Sequence, residues 1–339
     1  MRQAVMIKPG EVKLHDIPKP QAGAGEVLLH IKHIGVCGSD IHVNHGLHPF
    51  TSYPVVQGHE FSAVVAEVGE GVVGVSLGQK VTARPQVVCG KCPPCRRGDY
   101  HICDNLKVEG FQAPGVAQDY FVTSAEKLHF LPDSMTMDQG ALVEPTSVAT
   151  HSTARAGDLM GKNVLVLGAG PIGNLIAQVA QSRGAAKVLI RDISDFRLEI
   201  AQACGLEHVS NAKNETMVEA KQRVFGDEGY GVAFEAVGVE ATMDDAIQTI
   251  DKGGTIMIVG VFGEKPRIDM SIVGDREISL VGTLMYRHED YELAIEFIDS
   301  GKVVTEPLIT KRFPLESYQE AYEFIDAQGD KSLKVIIDL

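Results

Sequence analysis

Apolar and polar residues follow two different rhythms along the chain. Up to about residue 149, short alternating runs such as 26–32 and 61–68 are interrupted by glycine and proline. Such runs are typical of half-buried β-strands connected by turns. From about residue 147 to residue 283, continuous apolar runs alternate with segments of helical period. The predicted strands of this part are 163–167, 187–191, 231–235 and 255–259, and its clearest helices are 172–183 and 196–204.

This alternation predicts an α/β fold with a doubly wound, parallel sheet. A helix at 291–300 and an apolar strand at 334–339 follow it. We expect this tail to return to the first part, which makes the first domain discontinuous in sequence. The predicted boundaries are residues 1–149 for a β-rich domain, 150–283 for the doubly wound domain and 284–339 for the return.

Composition limits the class of protein. The 339 residues exceed the usual size of one domain. The net charge of −14 at pH 7 argues against nucleic acid or an anionic membrane as a partner. No apolar run is long enough to span a bilayer, and the N-terminal residues lack the apolar region of a secretory signal. Six cysteines, four of them in metal-ligand spacing, fit a reducing compartment, so we expect a cytoplasmic protein.

Four cysteines are concentrated in the segment CGKCPPCRRGDYHIC, namely Cys89, Cys92, Cys95 and Cys103. Four thiolates at this spacing predict a closed tetrahedral Zn²⁺ site. A pair of disulfides is the alternative, but ligands separated by two residues suit a metal better. Because all four ligands are sulfur, this zinc is expected to be structural and to take no part in catalysis.

A glycine-rich loop follows the predicted strand 163–167 and precedes a helix. The pattern G-x-G-x-x-G in this setting predicts a dinucleotide site, in which the glycines allow a tight turn and close approach of the pyrophosphate to the helix N-terminus. The expected cofactor-binding residues of the loop are Gly168, Gly170, Pro171, Ile172 and Gly173.

Asp192 ends the second predicted strand, about twenty residues beyond the glycines. A carboxylate there accepts hydrogen bonds from the adenosine ribose and repels a 2′-phosphate, which favours NAD over NADP. Arg191 and Arg197 flank it, and either could accept a phosphate. Arg197 is included among the expected cofactor-binding residues.

A second set of metal-ligand candidates lies outside the cysteine cluster. Cys37 occurs in GVCGSDIH, His59 and Glu60 occur in GHE, and Glu144 occurs in LVEP. A thiolate, an imidazole and a carboxylate together suit a zinc ion that keeps one coordination position open. An open position allows the metal to act as a Lewis acid on a bound hydroxyl.

These motifs, in this order, resemble those of the zinc-dependent medium-chain alcohol dehydrogenases, over nearly the whole chain. The chain is most similar to the polyol branch, which includes sorbitol, galactitol-phosphate and sugar-acid dehydrogenases. Glu144 carries this similarity, because the ethanol-type enzymes have a cysteine ligand there. The resemblance implies a GroES-like catalytic domain with a structural zinc lobe, a Rossmann domain, one catalytic and one structural Zn²⁺ per subunit, NAD as cofactor, and a homodimer or homotetramer.

The resemblance also implies roles for individual residues. Cys37 and His59 bind the catalytic zinc, and Glu60 and Glu144 share the carboxylate role, with the inner-sphere ligand left open between them. The substrate hydroxyl loses its proton through Ser39 to His42, since an imidazole changes charge near neutral pH.

The sequence also suggests where hydrogen bonds and substrate contacts lie. Asp40 is interpreted as a hydrogen-bonding or capping group. Four side chains after the first motif could line a substrate pocket, namely His45, His48, Phe50 and Tyr53.

The segment Met285, Tyr286 and Arg287 differs from its counterpart in sorbitol dehydrogenases, where an arginine and a tyrosine contact substrate. An inward Arg287 would favour an acidic substrate, and an outward one would be a surface residue. We expect oxidation of a secondary alcohol of a small polyhydroxy substrate, a polyol or sugar acid. Threonine 3-dehydrogenase and a catalytically silent NAD(H)-binding family member are the alternatives.

Overall fold

The computed structural model describes residues 1–339, which form two compact units. The first unit comprises Met1–Glu144, Arg287–Asp299 and Ile309–Leu339, and the second comprises Pro145–Tyr286 and Ser300–Leu308. The boundaries expected at residues 149 and 283 differ from these by a few residues. The segment Ser300–Leu308 belongs to the second unit, because the Gln178 side chain bonds both the backbone N–H and the backbone carbonyl of Val304.

The first unit is rich in β-structure. Its strands are β1 (Arg2–Lys8), β2 (Glu11–Asp16), β3 (Glu26–Gly35), β4 (Glu60–Val68), β5 (Lys80–Ala83), β6 (Gln86–Val87), β7 (Lys107–Val108), β8 (Tyr120–Ser124), β9 (Leu128–Phe130), β16 (Ile309–Pro314) and β17 (Lys334–Asp338). Seven of them form one sheet, in the order β16-β17-β3-β4-β5-β9, with β8 paired to β3. β1 and β2 form a second sheet, and β6 and β7 form a third.

The helices of the first unit are short near the N-terminus and longer near the C-terminus. They are α1 (Gly38–Asn44), α2 (Pro93–Arg96), α3 (Met137–Ala141), α10 (His288–Asp299) and α11 (Tyr318–Gln328). α4 (Val143–Arg155) begins at the boundary and continues into the second unit.

The core of the first unit follows the period-two pattern of its strands. On β3, Val27, Leu29 and Ile31 are completely buried, and Val335 and Ile337 of β17 join the same core. Alternate residues of a strand point to one face of the sheet, so this pattern places them on the buried face. The C-terminal strand thereby lies directly beside β3, which leads to the motif containing Cys37.

The second unit is a doubly wound sheet of six parallel strands, β10 (Asn163–Leu167), β11 (Lys187–Asp192), β12 (His208–Asn211), β13 (Val232–Glu235), β14 (Thr255–Ile258) and β15 (Ser279–Gly282). Its helices besides α4 are α5 (Pro171–Ser182), α6 (Asp195–Ala203), α7 (Met217–Phe225), α8 (Glu240–Thr249) and α9 (Met270–Asp275). The strand order β12-β11-β10-β13-β14-β15 is the 3-2-1-4-5-6 order of the Rossmann fold. The predicted fold class is confirmed. None of the helices is long and apolar enough to cross a membrane.

Candidate metal centre and nucleotide loop

The candidate catalytic ligands come together at the ends of two paired strands. β3 and β4 are antiparallel, with Gly35 opposite Glu60. Cys37 follows β3 by two residues, and His59 immediately precedes β4. One ligand atom from each of Cys37, His59 and Glu60 lies within 4.8 Å of the others. A side chain at position 35 would collide with the Glu60 carboxylate, so glycine keeps this corner open.

The chemistry of these residues fits a divalent cation. His59 and Glu60 are buried, so the site is shielded from solvent. Burial opposes protonation of His59, but the negative charges of Asp40 and Cys37 outweigh it and raise the pKa of His59 well above 6.5. Surroundings that favour a positive imidazole also favour a metal ion. Three protein ligands of types S, N and O leave one position of a tetrahedral zinc available for substrate.

Glu60 has a partner that the sequence analysis did not identify. The buried amine of Lys334 on β17 contacts both oxygens of the Glu60 carboxylate, and it lies 3.4 Å from the backbone carbonyl of Val36. Burial disfavours the charged amine, but Glu60 and Cys37 outweigh this effect and raise the pKa of Lys334. Lys334 therefore stays positively charged beside the candidate ligands.

Glu144 is buried near this site, and its charge also contributes to the raised pKa of Lys334. It is not a member of the group of ligand atoms within 4.8 Å that contains Glu60. Glu60 is the carboxylate that the structure shows within this distance of Cys37 and His59.

Asp40 lies between two of the candidate ligands. Its Oδ2 accepts a hydrogen bond of 2.9 Å from the backbone N–H of Cys37, in a capping box at the start of α1. Its Oδ1 lies 3.6 Å from Nδ1 of His59, too far for a direct hydrogen bond but close enough for electrostatic attraction. A carboxylate near Nδ1 favours the tautomer that leaves Nε2 available for a metal. The capping role expected for Asp40 is thus combined with orientation of a ligand.

The two residues assigned to proton transfer lie on α1. Ser39 is half-buried, and His42, three residues later, is exposed. Residues three apart lie on the same side of a helix, so the side chains of Ser39 and His42 lie on the same side of α1.

Aromatic rings cover one side of the metal centre. Phe111 lies 4.9 Å from His59 and stacks at 4.8 Å on His48, measured between ring centroids. Phe111 also lines a cavity of about 520 Å³ in the first unit, together with Phe50, Gln112 and Pro54. Phe111 and Gln112 were missed because no sequence motif marks them. Of the other pocket candidates, His45 pairs instead with Asp326, at 3.0 Å.

The four-cysteine segment has the geometry of a metal site. All four cysteines are free, and their sulfur atoms lie within 4.8 Å of one another. Sγ of Cys103 lies 3.5 Å from that of Cys89 and 3.8 Å from that of Cys92. A tetrahedron with Zn–S bonds of ~2.3 Å has an edge of about 3.8 Å, whereas a disulfide needs about 2 Å. The arrangement fits zinc and not a pair of disulfides.

Arg287 forms an ion pair with a residue of this cysteine lobe. Its guanidinium donates a hydrogen bond of 2.5 Å to Asp99, which lies between Cys95 and Cys103. The next residue, His288, donates its backbone N–H to the hydroxyl of Tyr100 at 2.6 Å. The sequence left Arg287 open between substrate contact and surface ion pair, and the structure assigns it the ion pair.

The nucleotide loop has the shape that a pyrophosphate requires. Gly168 has φ +99°, and a side chain at Gly173 would collide with the backbone carbonyl of Gly168. A side chain at Gly170 would meet nothing within 4 Å, so this face of the loop is open. Pro171 occupies the first turn of α5, and Ile172 and Gly173 follow it. The N-terminus of this helix can therefore receive a phosphate group.

Asp192 is held against the same loop. Its Oδ2 accepts from the backbone N–H of Ala169 at 2.7 Å, and its Oδ1 accepts from that of Ser194 at 2.9 Å. A carboxylate has lone pairs left for two ribose hydroxyls. Arg191 is buried and donates to Ser210 and to the backbone of Glu215, so it is not available to a phosphate. Arg197 is partly exposed, with Nη1 at 3.9 Å from Asp192.

The first unit thus carries a thiolate, an imidazole and a carboxylate around a potential cation site, and the second carries a Rossmann phosphate loop. This combination defines a class, the metal-dependent dehydrogenases that use a dinucleotide. Family models support the same class for both units. The model of zinc-binding dehydrogenases matches residues 171–300, and the model of the GroES-like domain of alcohol dehydrogenases matches residues 23–133.

Similar proteins cover nearly the whole chain. A 2-dehydro-3-deoxy-L-galactonate 5-dehydrogenase from Pseudoalteromonas atlantica is 39% identical over 91% of both chains. Sorbitol dehydrogenase from Bacillus subtilis is 31% identical over 99% of this chain and 97% of its own. An L-threonine 3-dehydrogenase from Legionella pneumophila is 33% identical over 98% of this chain and 97% of its own. The protein therefore belongs to the zinc-dependent medium-chain alcohol dehydrogenases, and the resemblance inferred from its motifs is confirmed.

Solved structures share this fold. A zinc-binding dehydrogenase from Sinorhizobium meliloti, bound to NADP, superposes with a TM-score of 0.93 at 26% identity over 100% of this chain and 99% of its own. An alcohol dehydrogenase from Escherichia coli CFT073, complexed with NADH, gives 0.92 at 28% identity over the same shares. Relatives of this fold thus include binders of either dinucleotide.

Proposed function

We propose that the protein oxidises a secondary alcohol of a sugar acid or a related polyol with NAD⁺, and that this reaction depends on zinc held by Cys37, His59 and Glu60. The observation that carries the proposal is the convergence of these three side chains, within 4.8 Å, in a chain 39% identical to a sugar-acid dehydrogenase. The sorbitol dehydrogenase relative supports the wider class of polyhydroxy substrates.

When bound, zinc supplies a Lewis acid for the substrate hydroxyl, and NAD⁺ supplies the hydride acceptor. The residues of the chain place and deprotonate the substrate. Ser39 receives the hydroxyl proton, and the exposed His42 releases it to solvent. The amine of Lys334 contacts the Glu60 carboxylate, and Asp40 accepts a hydrogen bond from the backbone N–H of Cys37. These contacts restrict the positions of two of the three ligands.

We propose NAD⁺ rather than NADP⁺ because of the residues around Asp192. Its carboxylate is fixed at the phosphate loop, where it would repel a 2′-phosphate. Arg191 faces away into hydrogen bonds with Ser210 and Glu215 and cannot neutralise that repulsion. Arg197 alone offers a partly exposed cation beside Asp192.

We do not assign recognition of an acidic substrate to Arg287, because its guanidinium would first have to break its ion pair with Asp99. The ring of Phe111 lies 4.9 Å from that of His59 and offers an apolar surface beside the candidate ligands. Such a surface suits the carbon chain that sugar acids and polyols share.

The second zinc of the proposal belongs to the four-cysteine lobe, which gives two zinc ions per chain. Six free cysteines are compatible with a reducing compartment, and we propose the cytoplasm as the site of action.

The second candidate activity is oxidation of L-threonine, which a 33% identical relative favours. A silent NAD(H)-binding protein is disfavoured, because Cys37, Ser39, His42 and His59 are all retained.

The test is formation of NADH from NAD⁺ or of NADPH from NADP⁺ by the zinc-loaded protein, with galactonate, gulonate, sorbitol, galactitol, xylitol and L-threonine as substrates. We expect the highest kcat/KM for a sugar acid or polyol with NAD⁺. Turnover confined to L-threonine would replace the proposed substrate class. No turnover by protein that binds zinc and NADH would favour the silent family member.

A further inference from the structure

A series of hydrogen bonds between buried polar side chains connects α11 with the candidate metal centre. The hydroxyl of Tyr322 donates a hydrogen bond of 2.8 Å to Oε1 of Gln57. Nε2 of Gln57 lies 3.3 Å from Oδ1 of Asp40 and 3.4 Å from the backbone carbonyl of Asp40. The exposed fraction is 1% for Tyr322, 2% for Gln57 and 0% for Asp40. Bulk water does not compete for these bonds, because all three side chains are buried.

The direction of donation along these hydrogen bonds follows from the donor and acceptor groups of the three side chains. Asp40 presents only acceptors to Gln57, so the amide nitrogen must face Asp40 and the amide oxygen must face Tyr322. Burial raises the pKa of Tyr322 well above 10, so its hydroxyl keeps the proton that it donates. The order of donation is therefore Tyr322 to Gln57 to Asp40.

Asp40 connects this series of hydrogen bonds with the candidate ligands. One of its oxygens holds the backbone N–H of Cys37, and the other lies 3.6 Å from Nδ1 of His59. A rotation of the Asp40 carboxylate would change both neighbours together. Partners of this kind usually determine the orientation of a metal-bound imidazole.

We propose that Gln57 and Tyr322 are positioning residues for the catalytic metal, because they fix the Asp40 carboxylate that orients His59 and Cys37. Neither residue belongs to a metal-ligand motif, and Tyr322 is 265 positions from Gln57 in sequence. The inference rests on the proposed catalytic zinc but not on the identity of the substrate.

The test measures retention of the catalytic metal in Tyr322→Phe, Gln57→Leu and the double variant. Co²⁺ is exchanged into the catalytic site while lobe zinc is counted by elemental analysis, and release of Co²⁺ to a chelator is followed by its visible absorption. We expect each single variant to bind Co²⁺ about 10- to 100-fold more weakly and to show an altered spectrum. The double variant should bind Co²⁺ no more weakly than Gln57→Leu does, because both substitutions interrupt the same series of hydrogen bonds.

Tyr230→Phe is the matched control. Tyr230 is also 1% exposed, and its hydroxyl bonds Thr249 at 2.6 Å within the second unit. It should lower the thermal midpoint to a similar degree while leaving Co²⁺ affinity and spectrum unchanged.

Three outcomes separate the possibilities. Co²⁺ affinity in Tyr322→Phe equal to that in Tyr230→Phe would overturn the positioning role. Additive losses in the double variant would also overturn it, since they would indicate independent packing effects. Failure of the wild-type protein to bind Co²⁺ at Cys37, His59 and Glu60 would contradict the proposed function itself.

Discussion

At the scale of single residues, the metal centre depends on charges buried around it. Glu60 is completely buried, and its counterion Lys334 is 2% exposed. Burial disfavours the charged amine of Lys334, but its attraction to Glu60, Cys37 and Glu144 outweighs burial and raises the pKa of Lys334. Lys334 is therefore part of the electrostatics of the site, although it is no ligand.

Replacing Lys334 with methionine tests this role. Lys334→Met leaves Glu60 buried without its cation, which should lower the free energy of unfolding by about 3–5 kcal/mol in metal-free protein. Zinc at the site would replace part of the lost charge, so the loss should be smaller after zinc loading. Chemical denaturation with and without catalytic zinc measures both values.

Lys127→Met is the control, since Lys127 pairs with the buried Glu109 at 2.6 Å. Its loss of stability should not depend on catalytic zinc. An equal effect of zinc on both variants would show that Lys334 has no special relation to the metal centre.

At the scale of elements, sequence patterns predicted the features whose residues lie close together in the sequence. β10, the glycine loop and α5 were predicted because strand, turn and helix follow one another within about twenty residues. Cys89, Cys92, Cys95 and Cys103 were predicted as one cluster for the same reason, and their sulfur atoms lie together.

The contacts that the sequence did not predict join distant elements. Lys334 and Glu60 are 274 positions apart, and they meet because β17 pairs with β3, which in turn pairs with β4. No spacing rule connects such residues, and a lone lysine in an apolar strand carries no motif. Arg287 illustrates the same limit, because its partner Asp99 is 188 positions away. A return of residues 284–339 to the first unit was expected, but neither the assignment of Ser300–Leu308 to the second unit nor the contacts of its side chains could be predicted.

The four-cysteine lobe gives a prediction at this scale. Cys95→Ser removes one of four thiolate ligands, so the protein should lose one zinc per chain and show a lower thermal midpoint. NADH affinity should stay unchanged, because the nucleotide loop belongs to the other unit. Elemental analysis and thermal unfolding are the measurements.

Cys204→Ser serves as the matched control for this variant. Cys204 is a buried free cysteine at the end of α6 and outside both ligand groups, so zinc content should not change. Full zinc content and an unchanged thermal midpoint in Cys95→Ser would refute a structural metal in the lobe.

At the scale of the whole molecule, the two units carry different parts of the chemistry. The first unit contains the four-cysteine group and the group of Cys37, His59 and Glu60, and its C-terminal segments contribute Lys334 and Tyr322 to the surroundings of the second group. The second unit contains the phosphate loop and Asp192. A change at the proposed metal centre should therefore affect turnover without affecting nucleotide binding.

His59→Ala is the most direct test of the central claim, that turnover depends on zinc at Cys37, His59 and Glu60. Zinc content, NADH affinity and NADH formation with the preferred substrate would be measured on the same preparation. We predict a fall from two zinc ions per chain to one, a loss of turnover by more than about 100-fold, and NADH affinity within about twofold of wild type. Two zinc ions and undiminished turnover in His59→Ala would contradict this dependence on zinc.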